Sequence, residues 1–161
     1  MINLAGKKST LILDQSGTGL LKLTSTFVIS GYGADKIIAL KGDTAGTGEI
    51  AGNIVNPYDR AGKATTAVTK SGTGSWTLSG ANTYSGKTTV TQGTLSIASA
   101  KSLGEKTDVY ISEGATLELS FKGELKIGKL YLDGKVQPAG SYSAENAPKY
   151  IKGKGLLKTS F

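Results

Sequence analysis

Neither cysteine nor histidine occurs anywhere in this 161-residue chain. The first absence removes disulfides and every thiolate metal site. The second removes the usual zinc triads and any Ser-His or Cys-His catalytic pair. Proline is scarce, at 3, and there is one tryptophan, Trp76, and one arginine, Arg60. No apolar run approaches the ~20 residues of a membrane span, and the opening "MINLAGKKST" holds no apolar signal core. Helix signals are almost missing too. Good helix formers never accumulate for three turns, because Gly or a Ser/Thr cluster interrupts almost every window of ten.

What the chain does have is glycine, 23 in all, falling singly between short apolar clusters as turn punctuation. The length suits one domain with a real core. Basic residues outnumber acidic ones by 19 to 12, for a net charge of +7. The sharpest local bias is at the end, where Lys149, Lys152, Lys154 and Lys158 follow Glu145 without an intervening acid. Such a surface suits anionic partners, acidic polysaccharide among them, and equally suits plain solubility.

The apolar clusters alternate with period two. Trp76 and Leu78 share a face in "SWTLSG", Leu95 and Ile97 in "GTLSIA", and Leu117, Leu119 and Phe121 in "ATLELSF". Leu11 with Leu13, and Leu21, Leu23, Phe27 and Ile29, repeat the pattern earlier in the chain. Thr and Ser fill the positions between, as on a half-exposed pleat. The fold class is therefore all-β, built of many short strands. The spacing says more: 95−76 = 19 residues separate Trp76 from Leu95, and 117−95 = 22 separate Leu95 from Leu117. An apolar pair returning about every twenty residues is the period of a solenoid. "SGTG" also recurs, at 16–19 and 71–74, each time before a strand-like run. In a parallel β-helix, glycine-rich corners of this kind turn the chain between faces while inward aliphatics stack coil on coil.

The stretch "AVTKSGTGSWTLSGANTYSGKTTVTQGTLSI", residues 67–97, resembles the autotransporter-associated β-strand repeat, also called the passenger-associated transport repeat. "GDTAGTGEIAGNIVNPYDRAGKATT" before it resembles the segment that often precedes such a repeat. The tail "GKLYLDGKVQPAGSYSAENAPKYIKGKGLLK" is similar to endings of large bacterial surface proteins that carry these repeats. The resemblance implies a right-handed parallel β-helix, extracellular or at the cell surface, with neighbouring repeats or domains in a longer parent chain. One repeat is complete here, and no membrane β-barrel translocator is read in the sequence.

Three chemical motifs remain to be weighed. Residues 81–88, "ANTYSGKT", fit a loose nucleotide-binding loop, but such a loop needs a helix after it to hold phosphate. "TVTQGTLSI" follows instead, which is strand, turn and strand. "LYLD" could imitate a magnesium-binding Asp, yet Asp133-Gly134 reads better as a two-residue hairpin turn. Catalysis on a β-helix calls for paired carboxylates, or for acidic calcium ligands with a basic residue. Here Glu113, Glu118 and Glu124 lie among Lys and apolar residues, and Arg60 beside Asp59 sits in a turn-like "NPYDR". No catalytic, cofactor or metal residues are assigned, and no nucleic-acid signature is present.

The resulting expectation is a single non-catalytic β-helix module over residues 1–161, serving structure and display on a bacterial surface or secreted protein. Its structural stack is Trp76, Leu78, Leu95, Ile97, Leu117 and Leu119. Residues 129–161 are expected to form an antiparallel C-terminal cap, with Leu130, Leu132, Val136 and Ile151 sealing apolar surface. "MINLAGKKST" offers no comparable device at the other end. The alternative is a carbohydrate-binding accessory module attached to a polysaccharide-degrading enzyme. It would contact an acidic glycan through Tyr142, Lys149, Tyr150, Lys152 and Lys154. Other surface proteins are the second class of partner.

Overall fold

Alternating apolar residues in short runs between glycines produce strands and, among the described residues, no helix. The structure, a computed structural model, describes residues 2–3, 8–28, 34–104 and 106–159. Ile29, half of "MINLAGKKST" and the last two residues of the expected cap lie outside the described residues. In chain order the strands are β1 (Ile2–Asn3), β2 (Ser9–Asp14), β3 (Leu20–Leu23), β4 (Phe27–Val28), β5 (Lys36–Lys41) and β6 (Thr47–Ile50). The middle of the chain forms β7 (Thr66–Lys70), β8 (Ser75–Leu78), β9 (Thr88–Val90), β10 (Thr94–Ile97) and β11 (Val109–Ile111). The long β12 (Thr116–Ile127) leads into β13 (Leu130–Leu132), β14 (Lys135–Val136), β15 (Ser141–Tyr142) and β16 (Ile151–Thr159).

From β5 to β13, successive strands fall alternately into two sheets. The first has the order β2-β5-β7-β9-β11-β13-β14, and the second β3-β6-β8-β10-β12-β16-β15. Every pairing in them is parallel except the outermost at one end of each, β13 with β14 and β15 with β16. This is a parallel β-solenoid. A short parallel pair, β1 with β4, lies on the third side. Burial alternates residue by residue along β5, β7, β8, β9, β10 and β11, so each coil turns one row of side chains inward. The inward rows merge into one core.

The columns follow the spacing in the sequence. Trp76, Leu95 and Leu117 hold one register position in β8, β10 and β12, and Leu78, Ile97 and Leu119 hold another. All six side chains are buried. The spacing is not uniform, however. It is 94−75 = 19 between β8 and β10 but 75−47 = 28 between β6 and β8. The extra residues fall on the third side of the coil. There the connection from β6 to β7 is the longest, residues 51–65, against 79–87 in the next coil. Corners between the two sheets stay short, and both "SGTG" copies lie there.

Asn and Asp side chains clip neighbouring coils together on that third side and at the corners. The backbone amides of Ala81, Thr65, Thr73 and Lys129 donate to Asn53, Asp35, Asp43 and Asp108, at 2.8, 2.9, 2.7 and 2.7 Å. Each amide left without a ladder partner by the turn is thereby satisfied from the coil beneath.

The C-terminal end differs from expectation in detail. Asp133 and Gly134 do make the hairpin turn, both with positive φ (49° and 74°), as a type I′ turn requires. Antiparallel pairing is nevertheless limited to β14 and β15. β13 and β16 extend the parallel columns, and Leu130 and Ile151 are buried there as further rungs. Val136 seals nothing. It stays 55% exposed, because the hairpin carries β14 past the last inward column. Phe121 is only partly buried, since β12 bulges between Leu119 and Gly123 against β16 and lifts it over Gly155.

Candidate interaction surface

Residues 81–87 form an irregular crossing of the third side, and Thr88 then opens strand β9. Among the described residues no helix N-terminus faces them, so the phosphate-holding geometry is missing there. Lys87 is exposed, with its ammonium 5.7 Å from the centroid of the Tyr110 ring. Tyr84 is buried, and its hydroxyl shares a 2.7 Å hydrogen bond with Thr88. Burial pushes its phenol well above the usual tyrosine range. The stretch that resembles a nucleotide loop is a packed connection between coils.

Several of the carboxylates are engaged in building structure, among them Asp59, Glu49 and Glu124. Asp59 accepts the backbone amides of Ala61, Lys63 and Ala64, and these bonds hold its carboxyl below the usual carboxylate range. Glu49 accepts from the Ser79 hydroxyl at 2.6 Å and pairs with Lys22 at 2.9 Å, which lowers its pKa in the same way. Glu124 pairs with Lys158 at 3.6 Å across β12 and β16. Among the described residues no three His, Cys, Asp or Glu side chains gather into a possible metal site.

The tail residues singled out for glycan contact lie on or beside the last two strands. Tyr142 is on β15, and its hydroxyl donates to the Pro138 carbonyl at 2.7 Å. The Tyr150 hydroxyl donates to the Asp133 carboxylate. Lys149, Lys152 and Lys154 are exposed, the last two on β16. The tyrosine hydroxyls are thus taken up within the chain, and the lysines are strung along a strand.

Several residues with clear roles were missed by reading the sequence. Lys70 is buried at the end of β7, and its ammonium donates to the carbonyls of Ser71, Gly72 and Gln92 at 2.9, 2.6 and 3.2 Å. Burial lowers its pKa and the Asp43 charge opposes this, while the three acceptors suit a protonated amine. Asn82, also buried, ties three coils together. It accepts the Ile54 amide at 2.8 Å and donates to the Ser102 carbonyl at 2.7 Å. The third side further carries a shallow cleft lined by Ala81, Asn82, Thr83, Ala100, Lys101 and Leu103. The same side carries the loop 57–63, where Tyr58 is 80% exposed. The signal in the sequence was "NPYDR" inside a coil longer than its successors.

Residues 68–97 match the model of the passenger-associated-transport-repeat, so the chain carries one such repeat where the sequence resembles it. A curated relative, an adhesin autotransporter (BmaC) of Brucella suis biovar 1 (strain 1330), is 34% identical over 108 residues. That alignment covers 65% of this chain and 3% of the relative, so the chain spans a small part of the relative's length. No solved structure matches the chain significantly.

Proposed function

We propose that this repeat-bearing solenoid is a non-catalytic display module within a larger passenger protein exposed at, or released from, a bacterial surface. The carrying observation is the division of labour around each coil. Two sides are parallel sheets whose inward columns run from coil to coil, and the third side varies in length and holds the protruding chain. In repeat architectures, insertions confined to one side mark the side that meets partners. The sheets supply a stiff rod and the third side supplies the contact surface. The adhesin named above supports adhesion as the purpose of that contact. Residues 129–161 act as a cap on one end of the two sheets, with β14 and β15 placing an antiparallel strand outside each parallel sheet. Such strands blunt edges that would otherwise template association.

The test is adhesion by the isolated chain. Beads coated with the folded protein should adhere to cultured epithelial cells well above beads coated with the heat-unfolded protein. Equal adherence of the two would overturn the display reading.

A further inference from the structure

Stacking accounts for almost every residue of the solenoid, but not for loop 57–63. From Lys36 to its register partner Thr66 is 66−36 = 30 residues, whereas from Val68 to Thr88 is 88−68 = 20. The added chain is not slack. Its stem is closed by the Thr66 hydroxyl on the Val55 carbonyl (2.7 Å) and by the Thr66 amide on Asn56 Oδ1 (2.9 Å). The same Asn56 oxygen accepts the Ser85 amide of the next coil at 3.0 Å, which anchors the stem to the rod. Inside the loop, Asp59 gathers the amides of Ala61, Lys63 and Ala64 at 3.0, 3.0 and 3.2 Å. Gly62 donates to the Asp59 carbonyl at 3.0 Å and takes the positive φ of 62° that the turn needs.

These bonds set the loop's shape before any partner arrives and leave three side chains outside. Tyr58 is the most exposed of the large apolar residues described. Arg60 and Lys63 are exposed beside it, and neither Tyr58 nor Arg60 has a hydrogen bond or ion pair among the described residues. No ion pair joins Arg60 to Asp59, whose carboxylate oxygens accept the three backbone amides. A rigid loop loses little conformational freedom on binding. Tyr and Arg are the residue types that carry most energy at protein interfaces when they enter a pocket.

Resting on the display reading, we infer that loop 57–63 is a docking knob for a protein partner with a concave pocket that is apolar at its floor and carboxylate-bearing at its rim. Tyr58 fills the pocket, Arg60 forks onto a carboxylate, and Lys63 adds attraction at longer range. The knob is convex, so it suits a concave protein surface better than an extended polysaccharide, which asks for a groove.

The experiment pans a phage-displayed library of random twelve-residue peptides closed by a disulfide, which can fold a concave face around the knob, against the intact chain, with counter-selection on the double variant Tyr58→Ser, Arg60→Ser. That variant should keep the parent melting temperature, since both residues lie outside the core. Enriched peptides should carry Asp or Glu next to an apolar residue and should bind the parent at least tenfold more tightly than Arg60→Ser. Arg60→Lys should recover only part of the loss, because it cannot fork. Asp59→Ala should weaken binding as well, by loosening the loop. Peptides that bind the double variant equally, or a library that yields no acidic peptide, would overturn the proposal. So would hyaluronate or heparin oligosaccharides binding through Arg60 where peptides do not. If beads bearing the double variant adhere to cells as well as the parent, the knob falls while the display module stands.

Discussion

Gly48 and Trp76 occupy the same register position in adjacent parallel strands, and a Cβ on Gly48 would stand 2.2 Å from the indole. The glycine is what lets the largest core side chain lie flat against the coil below. Trp76 completes the fit by donating its indole N–H to the Lys41 carbonyl at 2.8 Å. Gly48→Ala should therefore destabilise by about 1–3 kcal/mol, the usual cost of overpacking a well-filled core. Gly140→Ala, whose Cβ would meet nothing closer than 3.9 Å, should be close to neutral. Urea unfolding followed by the single tryptophan's emission checks both, because that signal comes from this contact alone.

Lys70 and Asn82 make a second, polar prediction. Replacing Lys70 by Met keeps much of the volume and strands the carbonyls of Ser71, Gly72 and Gln92. Replacing Asn82 by Leu strands the Ile54 amide and the Ser102 carbonyl. Each should lose about 1–3 kcal/mol, since a buried group left without its partner forfeits its solvation. Exposed Lys87→Ala should change stability by less than about 0.5 kcal/mol, and ATP or GTP should give no thermal shift. A saturable ATP shift abolished by Lys87→Ala would contradict the reading of 81–88 as a structural connection.

These positions show what the sequence could and could not disclose. The columns through Trp76 and Leu78 were legible because alternation sets the face and a twenty-residue return sets the stack. The Asp133-Gly134 turn was legible because few dipeptides accept two positive φ values in succession. Lys70 was not singled out, since nothing local to a lysine says that three carbonyls await it inside. Val136 was read as sealing, although alternation cannot tell an inner face from an outer one once a hairpin reverses the chain. The loop at Tyr58 looked like an ordinary turn, and only the register of Lys36 with Thr66 reveals how much chain was added there.

Alkaline pH should weaken the fold through its tyrosines. Burial pushes Tyr84 above the usual range, and Tyr110, stacked on Tyr131 with ring centroids 4.1 Å apart, is pushed up to about 12. The folded pKa is raised, so this stabilisation is full below the unfolded value of ~10 and declines as pH rises above it. The urea midpoint should fall from pH 9 to pH 11, and less steeply in Tyr84→Phe. An identical slope in both proteins would contradict the assignment to Tyr84.

Truncation after Gly128 should uncover two parallel edges together, those of β11 and β12. β12 would lose its ladder with β16, which pairs on both sides of the bulge from Leu117 to Ile127. The shortened chain should aggregate or dimerise by light scattering more readily than one lacking only the first three residues. A monomeric truncation with an unchanged melting temperature would show that residues 129–161 protect no edge.

The central claim, that the coils stack in parallel and in register, can be tested directly because the chain has no cysteine to interfere. Outward positions Thr77 and Ser96 are register partners, and so are Ser75 and Thr94 two residues earlier on the same strands. Cysteines introduced at each pair in turn, and labelled with nitroxides, report the separation by spin–spin broadening of the continuous-wave spectrum. Parallel neighbours lie ~4.8 Å apart along the whole strand, so both pairs should broaden strongly. In an antiparallel arrangement that brought Thr77 opposite Ser96, Ser75 and Thr94 would be offset by four residues, about 13 Å. Broadening at one pair and not the other would contradict the solenoid.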